Sequence, residues 1–438
     1  MNGNMLRRLF LLWGIFGIIL MIACSSTQKT VKQAALSSPQ TNLNFLLLEL
    51  KENPDDPNVY YKLSKVYFEL DSINYALVTI DSALGLDPEF NPAKLLRGEL
   101  LLKKNRIKEG YTEYLEVLKS QTGDEYVEQI RLKMGQPFPI YQLTSGDYNN
   151  AFPCFSPDDN RIAFQSDRDG NWEIYLMDVD GAQAVRLTNH EAQDEMPVFG
   201  ADNNIISFTS TRDDSIHKGR LDKLRTIYFL DIAGGSEARI EGHESDNWYP
   251  APVRNGEHVV FASERDDLRE VPFHEKWSDI YIRDLKNSSI LRLTQNEADD
   301  GSPSVSANGK WILFTSNRSG NFQVYRMDLK GNMVEQLTFM ESNCGAPHFS
   351  HDGKLITFFA EVNGNYEIFM MDHTGKNVTQ LINDPGQDSY PSFSPDKRKI
   401  VFHSNRTGKY QIYWIDLMNP LRQEELVRNL EEKIALME

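Results

Sequence analysis

With 438 residues the chain is too long for one ordinary domain and has room for two or three. Hydrophobic residues make up 40% and aromatics 11%, enough to build packed cores, which argues against general disorder. A formal net charge of −17 would repel a phosphate backbone and makes nucleic acid a poor partner.

The first 23 residues read as a targeting signal and are kept out of the fold. Arg7 and Arg8 precede an uncharged apolar run from Leu9 to Ala23, shorter than the roughly 20 residues a spanning helix needs. The run ends in Met21-Ile22-Ala23-Cys24-Ser25-Ser26, which resembles a bacterial lipobox. That resemblance implies that Cys24 becomes the lipidated first residue of the mature protein; a plain signal peptide or an uncleaved anchor is the bland alternative. Ser25 resembles the sorting context of Gram-negative outer-membrane lipoproteins, which implies an anchor in the outer membrane with the chain facing the periplasm. Residues 24–42 are then a Ser/Thr/Gln/Lys-rich tether, a composition that builds no core.

Residues 43–135 carry a helical repeat. From Pro57, the spacing Tyr60, Leu63, Tyr67, Ala76, Ile80, Ala83 and Pro88 resembles the tetratricopeptide pattern, with Ser64 in place of the usual Gly. A second copy from Asn91 keeps Gly98, Leu101, Gly110 and Tyr114, but has Lys94 and Arg97 where bulky apolar residues are usual. About two repeats with capping helices make a shallow groove, so a spacer role is favoured over peptide binding.

Residues 138–420 repeat a different unit. Its first copy contains Phe155-Ser156-Pro157-Asp158, Arg161-Ile162-Ala163-Phe164 and Trp172-Glu173-Ile174-Tyr175, then closes on Val185-Arg186-Leu187-Thr188. Four short strands separated by turn clusters are a propeller blade. Pro153, Pro197, Pro250, Pro303, Pro347 and Pro391 count six blades at spacings of 44, 53, 53, 44 and 44. The last blade lacks a fourth strand, and Ile140-Tyr141-Gln142-Leu143-Thr144 (within 138–144) supplies it, closing the ring. The expected fold is α+β multidomain: short all-α repeats, an all-β six-bladed propeller and an amphipathic helix over 421–438. That helix is expected to dock on its own domain. Cys154 and Cys344 fall on non-neighbouring blades and are expected to be free thiols.

Phe155-Ser156-Pro157-Asp158, Phe393-Ser394-Pro395-Asp396 and Ser316-Asn317-Arg318-Ser319-Gly320-Asn321 resemble the TolB-type (WD40-like PD40) propeller repeat across all six blades. Its combination with an anchor and helical repeats is similar to envelope lipoproteins of the Bacteroidota, some tied to secretion machinery. The resemblance implies a scaffold or adaptor for envelope proteins; the alternative is a periplasmic binder of a small ligand, cation, glycan or peptide in the channel.

Two features are candidate sites. Polar residues just before the blade prolines, namely Asn150, Asp194, Asn247, Asp300, Asn343 and Asp388, are expected to ring the channel mouth. Such a ring suits a hard cation such as Ca2+ or a cationic group, while turn capping is the bland reading. Blades two and three carry nine extra residues between their second and third strands. Alternation puts these loops on the face of the ring, with Arg220, Lys223, Arg225, Arg269, Phe273 and Trp277 as candidate partner contacts. No catalytic motif is present, and His190 and His243 share a loop column that reads Asn296 in blade four; the protein is expected not to be an enzyme and to need no cofactor.

Overall fold

The computed structural model describes residues 38–213, 224–240, 245–271 and 275–437. Cys24, Arg220, Lys223, His243 and Phe273 lie outside these residues. The chain divides into two compact units, one ending at Ile130 but including residues 422–438, the other spanning Arg131–Leu421.

The first unit is built from antiparallel helices: α1 (Pro39–Glu52), α2 (Pro57–Glu69), α3 (Ile73–Leu86), α4 (Asn91–Lys103) and α5 (Ile107–Lys119). Ser38 and Asp56 cap α1 and α2 by accepting backbone N–H bonds, and Pro sits in the first turn of each, where its missing donor costs nothing. Leu63, Ala76, Ile80, Ala83 and Leu100 are buried between the helices. Small residues set the crossings. A Cβ at Gly98 would stand 2.6 Å from the Tyr114 ring, and one at Gly110 would stand 2.9 Å from the Gly98 carbonyl oxygen. In the first pair, Ser64 takes the place of Gly98 and donates its hydroxyl to the Ala76 carbonyl at 2.8 Å. The unusual cations are matched too: Arg97 binds Asp81 at 2.7 Å and also Glu113, and Lys94 lies 3.2 Å from Glu116. After a short α6 (Val127–Lys133) and the propeller, α7 (Gln423–Ala435) returns to this unit. It buries Leu426 and Leu430, donates from Gln423 to the Leu118 carbonyl at 2.6 Å and pairs Glu431 with Lys119 at 2.6 Å. The C-terminal helix therefore completes the helical unit.

The second unit contains six four-stranded antiparallel sheets. Each of the six second strands, such as Arg161–Ser166, buries a central aromatic: Phe164, Phe208, Phe261, Phe314, Phe358 and Phe402 are all fully buried. The last sheet is completed from the other end of the unit. Ile140–Gln142 pairs antiparallel with Gln411–Asp416, matching Ile140 to Ile415 and Tyr141 to Trp414. Tyr141 and Trp414 stack with ring centroids 4.8 Å apart. Cys154 and Cys344 are free thiols.

Candidate functional site

The polar residues before each proline divide into two columns with different tasks. In the outer column, Asn149, Gln193, Asp246, Asp299, Asn343 and Gln387 each accept the N–H of the residue opening the third strand of the preceding blade. These donors are Tyr410, Trp172, Arg225, Ser278, Phe322 and Tyr366, at 2.6 to 3.1 Å. This is a circular clamp joining every blade to the next, and Asn343 belongs to it.

One residue on, Asn150, Asp194, Asn247, Asp300 and Asp388 are fully buried. Each accepts from an arginine of its own blade: Arg168, Arg212, Arg265, Arg318 and Arg406, at 2.6 to 2.9 Å. The same guanidinium donates through Nε to a serine at the end of the second strand, such as Ser316 at 2.8 Å, and lies over a third-strand tyrosine, such as Tyr325 at 4.9 Å. These side chains do not stand open at the channel mouth. A guanidinium already occupies the position a cation would take, and among the described residues no group of three or more His, Cys, Asp or Glu could hold a metal. Blade five departs as a set: Cys344, Ala360 and Val362 replace the acid or amide, the serine and the arginine.

The side chains that reach the axis are the six residues immediately before the prolines. A β-bulge interrupts every innermost strand there. Phe152, Met196, Tyr249, Ser302, Ala346 and Tyr390 all take left-handed backbone, with φ between 43° and 57°. For bulky residues this is strained, and repeated six times it is a built feature. These six residues line a waist of about 120 Å³. Phe152 packs 4.1 Å from Tyr390, whose hydroxyl meets that of Tyr249 at 2.6 Å.

Two chambers adjoin the waist. On the face where first strands begin, Arg225, Trp248, Asp299 and Phe322 line about 280 Å³. Arg225 bonds Asp246 at 2.9 Å and Glu195 at 3.3 Å and lies 5.5 Å from the Trp248 ring. The opposite chamber, about 180 Å³, is lined by prolines and phenylalanines with Arg254, His348 and His351.

The register places the two long connections on the first of these faces, because Asp194 pairs with Ser210 and Asn247 with Ser263, the residues from which those connections leave. In blade three the connection folds on Asp267. Its carboxylate accepts from the Arg269 guanidinium and from the Trp277 N–H at 2.7 Å, and these bonds hold it well below the usual carboxylate range. Arg269 stacks 3.7 Å over the Trp277 ring, so this half-buried indole is covered on one side. A column of aromatics opening the third strands, Trp172, Phe322, Tyr366 and Tyr410, went unread in the sequence. Their recurrence at the start of the third strand was the available signal.

One serine–histidine contact invites a catalytic reading: Ser389 Oγ lies 2.9 Å from His403 Nε2. His403 Nδ1 accepts the Phe152 N–H at 3.1 Å, so the neutral ring carries its proton on Nε2 and donates to the serine. Burial pushes this imidazole down to about 3. With the proton on Nε2, that nitrogen has no lone pair to accept the Ser389 proton.

The sequence pattern of the TolB beta propeller domain (PD40) matches residues 126–276, 271–343 and 340–425. An uncharacterized peptidase of Bacillus subtilis (strain 168), YuxL, is 24% identical over 246 residues, 55% of this chain but 31% of the relative. An uncharacterized protein of Agrobacterium fabrum, Atu1656, is 28% identical over 99 residues, 23% of this chain and 30% of its own length. The chain thus spans about a third of the curated relatives it matches. Among solved structures, TolB from Acinetobacter baumannii is similar at a TM-score of 0.45 and 22% identity, covering 68% of this chain and 69% of its own. A putative TolB from Agrobacterium tumefaciens gives 0.49 and 20%, covering 63% and 96%. An oligogalacturonate lyase from Vibrio parahaemolyticus is similar at 0.46 and 15%, covering 64% and 93%. Six closed blades, the serine–proline–aspartate turns and a match over more than half the length agree: the chain belongs to the TolB-type β-propeller (PD40) family.

Proposed function

We propose that the protein is a non-catalytic adaptor of the cell envelope, lipid-anchored at Cys24 to the outer membrane and facing the periplasm. Its propeller docks protein partners on the face from which the two long connections rise. The observation that carries this reading is the chamber of about 280 Å³ on that face, where a fixed guanidinium, Arg225, adjoins Trp248 and Phe322. Aromatic pockets with an arginine are where binding energy concentrates at protein interfaces. The Arg269–Trp277 stack on the next connection extends the same kind of surface. Family membership supports an envelope protein-interaction role, and a buried histidine with its proton on the wrong nitrogen supports a non-catalytic one. In the helical unit, Phe45, Tyr75 and Val78 are 67 to 68% exposed, which favours the repeats as a second contact surface.

The test is crosslinked pull-down from native membranes with the wild-type chain and a Trp248→Ala/Trp277→Ala variant. Complex recovery falls several-fold in the variant if this face docks the partner, beyond what the parallel loss in melting temperature from Trp248, which also packs on the core, accounts for. Equal recovery would remove the interface assignment and leave the helical repeats as the better candidate.

A further inference from the structure

The chamber at the other mouth differs from the rest of this acidic protein. The innermost strands end there in tight turns, and the turn position four residues past each proline reads Pro157, Ala201, Arg254, Ala307, His351 and Pro395. Small or cyclic residues are the rule of the repeat, and blades three and five break it with a guanidinium and an imidazole. Blade five breaks a second column: where the residue after the proline is Cys154, Val198, Ala251, Ser304 or Ser392, it has His348. All three departures line one cavity of about 180 Å³, and no acidic side chain lines it among the described residues.

Arg254, His348 and Ser304 each offer a donor there. Arg254 has no ion-pair or hydrogen-bond partner among the described residues, whereas the arginines of the buried column are all paired. His348 Nδ1 accepts the Phe393 N–H at 3.3 Å, so its Nε2 carries the proton and remains a donor. Ser304 Oγ, from the intervening blade four, is buried without a hydrogen-bond partner among the described residues and lines the same cavity. Burial and the neighbouring Arg254 hold both histidines below their ordinary range, His348 down to about 4, so near neutral pH the chamber presents one permanent positive charge with neutral donors around it.

We infer that this mouth binds a monocarboxylate, with the carboxylate on Arg254 and the donors of blades four and five, and a slender apolar body against the prolines and phenylalanines of the collar. A single cation with neutral donors suits a monoanion better than a doubly charged phosphate or sulfate. The site lies at the channel end away from the long connections and does not depend on the adaptor reading.

The experiment is ligand-observed NMR titration of the full-length protein with hexanoate, its uncharged isostere hexanamide, and sulfate. Saturable hexanoate binding is expected, weakened about tenfold or more in Arg254→Ala, with hexanamide weaker by a similar factor. His351→Gln, a second exposed change, weakens hexanoate less. Equal binding of hexanamide, unchanged hexanoate binding in Arg254→Ala, or no saturable carboxylate binding would overturn the assignment. Sulfate binding tighter than hexanoate and lost in Arg254→Ala would overturn the monocarboxylate class.

Discussion

Tyr249 and Tyr390 meet hydroxyl to hydroxyl at 2.6 Å, one from blade three and the other from blade six, which face each other across the ring. Their contact divides the axial space into the two chambers described above. Both tyrosines are half-buried, and desolvation holds their phenols above the ordinary range. We expect Tyr249→Phe to cost about 1–2 kcal/mol, because it strands the Tyr390 hydroxyl in the waist. The Tyr249→Phe/Tyr390→Phe double variant should cost less than the sum of the singles, since neither donor nor acceptor then remains unmatched. Chemical denaturation of the four-member cycle measures this, and strict additivity would show that the hydroxyls act independently.

The buried acid–arginine column makes a discriminating prediction. Blades one and three carry Asn150 and Asn247 where blades two, four and six carry Asp, and all five accept from arginine. Asp300→Asn should therefore change stability by less than about 1 kcal/mol, while Asp300→Ala strips Arg318 of its carboxylate partner, leaving only Ser316 and the Tyr325 ring, and costs about 3 kcal/mol. Thermal melts of both variants check this. Had the column been a cation site, Asp300→Asn would abolish a calcium-dependent rise in melting temperature; no such rise is expected in the parent protein.

Glu367 makes a pH-dependent prediction. It is 2% exposed, and its Oε2 has no partner among the described residues. Burial, then the neighbouring Asp388 and Asp384, push its carboxyl from 4.5 up to about 9. A folded-state pKa above the unfolded one means that the folded protein holds the proton longer. The contribution is fully present below about 4.5 and is lost as pH rises towards 9. Blades four and six have glutamine at this register, and Gln323 and Gln411 donate to backbone carbonyls at 2.8 to 3.2 Å. Glu367→Gln should accordingly stabilise the protein by roughly 1–3 kcal/mol at pH 8 and by little at pH 4. A stability difference independent of pH would contradict this.

Anchoring is tested by fractionation. Cys24→Ala should move the chain from the detergent-soluble membrane fraction to the soluble fraction, or leave an unprocessed precursor. A normally processed, membrane-bound variant would end the lipoprotein proposal.

Much of the propeller was legible because its signals are local and repeated. Prolines at nearly fixed spacing marked every first strand, and the leftover Ile140–Thr144 segment could belong only to the incomplete last blade. The long connections could be placed on a face because strand alternation alone decides it. The candidate ring was read less well, since two adjacent residues with the same chemistry, such as Asn149 and Asn150, look interchangeable in sequence. A one-residue shift sends one to the neighbouring blade and the other inward to an arginine. This is also why Asn343 was grouped with the wrong column. The axial residues were missed because a bulge with left-handed Phe152 or Tyr390 has no sequence signature, proline ordinarily favouring extended backbone before it. Trp277 carried the right chemistry, but only the fold shows that Arg269 covers one side of it.

The pairing of Ile140–Gln142 with Gln411–Asp416 also has a consequence for synthesis. Of the propeller's strands, the one that closes the ring leaves the ribosome first and its partner last. Until the last propeller strand is made, Tyr141 must wait unpaired while Trp414 does not yet exist. Non-local pairing of this kind is slow, and an open strand edge is a template for the wrong neighbour. A chain truncated before residue 411 would therefore be more than a propeller missing one strand: it would keep two unmatched edges and be a ready substrate for aggregation or proteolysis. Synthesis of the last propeller strand thus becomes the checkpoint for a closed ring.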